Sequence, residues 1–174
     1  YIPTISETGT ENPNICLMVS FFCCIAASVY YVMRSLSLLI DFYHPNIIEY
    51  FLLRCITIVS SVSYILISVF PMDTTPREHF SSVFAAFFGI ILFQIIVLIR
   101  TRKNSTIFLF VYRFLSILLQ TIPLIVCAVS SKIWNNRINV TIQALSEYTI
   151  IFSLPPFFFS YSSELRNYEL IAFF

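Results

Sequence analysis

Apolar positions dominate the chain in five long runs, and the gaps between them are short and polar. The runs cover about residues 15–38, 47–69, 80–99, 107–129 and 139–160. Roughly 20 residues of helix cross the roughly 30 Å of a bilayer's hydrocarbon, so each run is long enough to span. Short connections make neighbouring spans antiparallel. The pattern predicts an all-α, polytopic transmembrane bundle with five spans, occupying residues 1–174 as a single domain with no room for a soluble one.

Within the runs, polar residues recur at helical spacing. The second run carries Arg54, Thr57, Ser61, Tyr64 and Ser68, and the fourth carries Arg113, Ser116, Gln120 and Cys127. The fifth carries Asn139, Gln143, Ser146, Glu147 and Ser153. In the third, Ser81, Ala85 and Gly89 stand at steps of four, a small-residue pattern that lets two helix backbones approach closely. Polar groups at membrane depth face the bundle interior or a wet cavity. The stripes fit interhelical packing, or a polar cavity for a lipid headgroup. They are short and form no repeated ring of charge, which argues against a conduction path.

Arg54, Arg113 and Glu147 are the charges that lie well inside runs. Both arginines stand seven residues from the same end of the bundle, a depth of roughly 10 Å at 1.5 Å per residue. Glu147 is the acidic residue well inside a run, so it is the expected partner of Arg113 or Arg54. Arg54, Arg113, Gln120, Gln143 and Glu147 together form the candidate intramembrane polar or lipid site.

Composition strengthens the membrane assignment. The chain is 58% hydrophobic and 11% charged, with nineteen phenylalanines and two glycines, whereas soluble domains run near a quarter charged. A formal net charge of +1 gives no reason to expect nucleic acid as a partner; membrane lipids are the expected one. Lys and Arg favour the cytoplasmic side. Arg34, Arg100, Arg102, Lys103 and Arg166 fall on one side, against Arg77, Lys132 and Arg137 on the other. The loop "RTRKNST" is therefore expected in the cytoplasm and the segment before residue 15 in the lumen. A luminal start of that length is expected to follow a further span upstream, giving six in the intact protein, with direct translocation of a short acidic tail as the alternative. The sequon Asn139-Val140-Thr141 is then luminal and Asn104-Ser105-Thr106 cytoplasmic.

Chemistry is sparse. Cys16, Cys23, Cys24, Cys55 and Cys127 are odd in number and lack framework spacing, so they predict no disulfide scaffold and behave as small hydrophobes. His44 and His79 fall on opposite membrane faces, which excludes a multi-histidine zinc centre. "PMDTTPREHF" clusters Asp73, Glu78 and His79, which reads as a solvated loop with an interfacial histidine. No hydrolase, phosphate-binding or metalloprotease motif is present. No catalytic residue, metal or cofactor is predicted, and the chain reads as non-enzymatic.

The N-terminal "IPTISETGTENPNICLM" resembles the luminal segment of the damage-regulated autophagy modulator (DRAM) proteins. There an isoleucine-serine-acid-threonine-glycine-threonine motif precedes a cysteine and a span. The matching residues are Ile5, Ser6, Glu7, Thr8, Gly9, Thr10 and Cys16. His79 and Glu147 match the wider DRAM/Frag/Sfk superfamily, which includes the post-GPI-attachment lipid-remodelling factor and the Cwh-type N-terminal domain. "SEYTIIF" (146–152) is similar to the corresponding span of the GPI-remodelling branch. The resemblance implies six spans with both termini cytoplasmic, and residence in the lysosome or in the Golgi or endoplasmic reticulum. It implies a function in autophagy or membrane traffic through lipid, or alternatively in GPI-anchor remodelling; a small-molecule transporter is the third reading.

Overall fold

The computed structural model describes residues 14–70, 74–130 and 137–172. Among the described residues, six α-helices follow in order: α1 (Asn14–Tyr43), α2 (Ile47–Val69), α3 (Pro76–Thr101), α4 (Ile107–Ser130), α5 (Arg137–Phe159) and α6 (Ser162–Ala172). A single 3₁₀ turn, Arg102–Asn104, prolongs α3. There is no strand among the described residues.

Helix ends follow local chemistry. Asn46 caps α2, its side-chain oxygen accepting from the amides of Ile48 at 3.1 Å and Glu49 at 3.3 Å. Pro76 opens α3 at a position whose N–H has no helical acceptor. Thr106 Oγ1 accepts from the Leu109 amide at the start of α4. Inside the helices, Ser37, Thr57, Thr101, Ser116 and Thr121 each donate to the carbonyl four residues back. In hydrocarbon, where water supplies no partner, that local bond satisfies the hydroxyl.

Among the described residues, four helices are long and apolar enough to cross a membrane: Cys16–Tyr43, Ile47–Val69, Pro76–Asn104 and Ile107–Val129. They make this an integral membrane protein with several spans. The first and third are longer than the sequence runs, so His79 lies in the first turn of α3 rather than in a loop before it. The predicted fifth span forms a helix of 23 residues, α5, but it is not among the four. Gln143, Ser146, Glu147 and Ser153 dilute its apolar character. Pro155 and Pro156 do not break it; the helix continues to Phe159.

α1 packs on α2, α2 on α3, and α4 on α5, while α1 also touches α3 and α6. The shared interior is apolar, with Met33, Leu36, Leu53, Ile90, Phe93, Val97, Ile150 and Phe157 buried. Large apolar side chains also cover the outside, among them Leu17, Phe51, Ile58, Phe84, Phe108 and Phe152. An exterior of this kind suits lipid as solvent rather than water.

The polar stripes face inward, as their spacing predicts. Thr57, Ser61, Tyr64, Arg113, Ser116, Gln120, Gln143, Ser146 and Ser153 are all buried. The small-residue stripe of α3 is shifted by one position: Ser81 is exposed and Ala85 half-buried, while Ser82 and Ala86 are buried. Gly89 keeps its predicted role. A Cβ built there would collide with Ser60 Oγ on α2 and stand 3.5 Å from Ser60 Cβ and 3.8 Å from Ile56 Cγ2. All five cysteines are free, but Cys127 alone is buried; Cys16, Cys23 and Cys24 are exposed on the apolar outer surface of α1.

Candidate functional site

α4 and α5 run antiparallel, and three contacts fix their register. These are Arg113 Nε donating to Ser160 Oγ at 2.9 Å, Arg113 Nη2 donating to the Ser160 carbonyl at 2.6 Å, and Gln120 Nε2 donating to the Ser153 carbonyl at 3.3 Å. From Ser160, beside Arg113, back to Glu147 is 13 residues of nearly continuous helix, roughly 20 Å. Glu147 therefore sits far along the bundle from Arg113, well beyond the small gap expected from counting depths. Gln143 Nε2 donates to Glu147 Oε1 at 3.3 Å, one turn away on the same helix.

The carboxylate at Arg113 is Glu164, which the sequence places beyond the last run. The chain turns at 160–161 and returns as α6, bringing Glu164 back over the end of α4. Arg113 Nη2 donates to Glu164 Oε1 at 2.5 Å and to the Ser160 carbonyl at 2.6 Å. Its Nε donates to Ser160 Oγ at 2.9 Å and its Nη1 to Ser105 Oγ at 2.7 Å. The guanidinium carbon lies 3.5 Å from the centre of the Tyr161 ring. Arg113 is 0% exposed and the Glu164 side chain 25%. Burial pushes the Tyr161 phenol up, against the opposing effect of Arg113, so it stays a neutral hydroxyl 3.1 Å from Thr101 Oγ1. A fork donor, a ring and a carboxylate thus tie four segments together at one end of the bundle.

Arg54 also lacks the expected carboxylate. Its Nη2 donates to Tyr50 Oη at 2.5 Å, and the guanidinium sits 5.0 Å from that ring's centre. Both groups are one turn apart on α2, so the charge is shielded locally. The ion pair between α2 and α3 is instead Glu49 with Arg100, at the same end of the bundle.

A second polar feature lies along α2 and α3. The side-chain oxygens of Ser60, Ser61 and Tyr64, both amide atoms of Gln94, and Arg54 Nε are buried and have no hydrogen-bond partner among the described residues. Gln94 is 0% exposed. Register places Gln94 near the level of Arg54, because Gly89 faces Ser60 and Arg100 faces Glu49. Buried polar groups of this kind are ordinarily satisfied by ordered water. Gln94 escaped the stripe analysis because it stands alone in an otherwise apolar run. A lone amide at membrane depth was the available signal.

His79 is a connector. It is buried, and its Nδ1 lies 2.7 Å from the Phe70 carbonyl, past the last residue of α2. Carbonyls at a helix end have no helical donor, so the imidazole ties the end of α2 to the start of α3. Ser6, Glu7, Thr8, Gly9 and Thr10 lie outside the described residues, as do Asp73 and the side chain of Asn139.

A groove of about 590 Å³ lies between α1 and α5. Cys24, Ser28 and Val32 form one wall, and Phe152, Pro155 and Phe158 the other. The Tyr64 side chain of α2 and Ser162 and Leu165 of α6 also line it. Its walls are almost wholly apolar. Ser28 adds little polarity, since its hydroxyl donates to the Cys24 carbonyl at 2.9 Å. Neither arginine nor Glu147 lines this groove. The candidate residues named from the sequence thus divide into the Arg113 clamp, the Arg54–Tyr50 pair and the Gln143–Glu147 pair, with Gln120 bridging α4 and α5. No protein-family model, no curated protein and no solved structure matches this chain.

Proposed function

We propose that this protein is a multi-pass endomembrane protein that binds membrane lipid in the groove between α1 and α5. The observation that carries the proposal is the groove itself: about 590 Å³, apolar, and set among helices whose outer surfaces suit hydrocarbon. Ligand sites between the helices of bundles are concave and mostly apolar in this way. An acyl chain meets no unsatisfied polar group along the walls formed by α1 and α5.

On this proposal α5 is a fifth span whose polar face is turned inward, with Gln143, Ser146 and Ser153 buried against its neighbours. The RTRKNST loop lies in the cytoplasm, as the distribution of Lys and Arg suggests. The likeness of Ile5–Thr10, His79 and Glu147 to the DRAM/Frag/Sfk superfamily supports a wider role in autophagy or membrane traffic, exercised by binding or organising lipid.

The test is a knockout scored in parallel for autophagic flux and for GPI-anchored proteins at the cell surface. It is complemented with the wild type or with Ser28→Trp, which fills the groove. The proposal expects altered flux that the wild type restores and Ser28→Trp does not. Loss of surface GPI-anchored proteins with normal flux would replace it with the GPI-remodelling reading.

A further inference from the structure

The groove has a polar outlet. At the end of the bundle that carries Arg100, Arg102 and Lys103, it is lined by Ser162 and Leu165 of α6. Ser162 also lines a separate, open concavity on α6 whose other lining residues, Ser163, Arg166 and Asn167, all carry polar side chains. One serine is therefore the border between an apolar channel and a polar recess. The two in sequence match an amphiphile: a chain on one side of the border, a headgroup on the other.

The charge of the recess selects the headgroup. Arg113 and Arg100 each hold a carboxylate. Arg166 is exposed and makes no hydrogen bond or ion pair among the described residues. The neighbouring carboxylate, Glu164, is committed: Oε1 accepts from Arg113, and Oε2 accepts from Ser163 Oγ at 2.9 Å. Among the described side chains there, Arg113, Glu164 and Arg166 sum to one positive charge. The first-turn N–H groups of α6 lack helical acceptors and add partial positive charge on the same side. An exposed guanidinium such as that of Arg166 matches phosphate oxygens bidentately.

We infer that the occupant of the groove is a glycerophospholipid, with an acyl chain between α1 and α5 and its phosphate on Arg166, assisted by the Ser162 hydroxyl and the Asn167 amide. The inference rests on the lipid-binding groove proposed above and adds the headgroup that it selects.

Native mass spectrometry of the purified full chain in detergent tests it, with dioleoyl phosphatidic acid and dioleoylglycerol as probes. These share their acyl chains and differ in the phosphate. The wild type is expected to retain phosphatidic acid about tenfold better, as a charge-assisted contact implies. Arg166→Gln is expected to bring the two lipids to parity while keeping dioleoylglycerol bound. Ser28→Trp, on the groove wall remote from α6, is expected to lose both. Cys24→Phe provides a second block of the same wall if that variant fails to fold. Equal retention of the two lipids by the wild type, or an unchanged preference in Arg166→Gln, overturns the headgroup site and leaves the groove standing. Retention of neither lipid, or retention unaffected by a blocked wall, overturns the groove as well. So does a lipid-free dimer that the blocking variants dissociate, which would make a second copy the occupant.

Discussion

Arg113 is fully buried, and four hydrogen bonds and a ring stand in for its hydration. Removing Glu164 alone strands that charge, whereas removing both residues leaves a cavity without one. Breaking a buried pair from one side typically costs about 3–5 kcal/mol, reduced here because Glu164 is partly exposed. Thermal melts of Glu164→Ala, Arg113→Ala and the double variant should therefore show strong coupling, with the double variant losing less than the sum. Arg113→Lys should recover only part of the loss, since an ammonium cannot serve Ser105, Ser160 and Glu164 from one plane. The same cycle between Arg113 and Glu147 should be additive, as expected for side chains roughly 20 Å apart. Coupling there would show that the register of α4 against α5 is wrong. Gly89 offers a steric counterpart. Gly89→Leu should lower the melting temperature sharply, because overpacking costs about 1–3 kcal/mol or more where backbones must separate. Gly89→Ala needs only the Ser60 hydroxyl to rotate, and Ser60→Ala should relieve it. Equal melts for Gly89→Leu and the wild type would exclude close approach of α2 and α3.

At the scale of elements, the antiparallel pair α2–α3 is held at three levels. Glu49–Arg100 closes one end, Gly89 against Ser60 sets the middle, and His79 on the Phe70 carbonyl closes the other. The exposed Arg100 makes the first pair a weak contributor. The buried imidazole contact is worth about 1 kcal/mol as a net hydrogen bond. His79→Ala should loosen that end locally, with faster amide exchange at Ile67–Phe70 and little change near Glu49. Uniform protection loss along both helices would mean that His79 supports the whole bundle rather than one corner. α5 is less apolar than the four spans, and its Pro155-Pro156 pair removes two backbone donors. Gln120 reaches across to the Ser153 carbonyl just before that pair. Gln120→Leu leaves this bridge unmade, so it should destabilise despite being more apolar.

For the whole molecule, Lys103 and Arg166 must lie on one face of the membrane, because Arg113, Thr101 and Tyr161 join the ends of α3, α4 and α5 there. Single cysteines at these two positions, in a background without the five native ones, should react with an impermeant maleimide from the same side of sealed vesicles. On the orientation proposed from the positive-inside bias, that side is the cytoplasm. Opposite labelling of the two positions would break the bundle as described, while shared labelling from the lumen would invert only its orientation.

The sequence by itself determined the helical membrane character, the positions of the runs and the inward direction of their polar stripes. These are properties of hydropathy and of the 3.6-residue period, both local quantities. It also found Gly89, because a glycine in a span has few uses besides close approach. It did not pair the charges. Glu147 was the nearest carboxylate by span counting, yet Arg113 takes Glu164, from a helix beyond the last apolar run. That choice depends on the tight turn at 160–161 and on α5 continuing as a helix through two prolines, neither of which has a signature in the spacing. It also missed the shift from Ser81 to Ser82, since one residue turns a side chain by roughly 100° and only the neighbouring helix defines which phase is buried. The groove was invisible for the same reason. Cys24, Ser28, Phe152 and Phe158 are ordinary residues of apolar helices, and the space between them exists only because α1 and α5 are held apart by what packs around them.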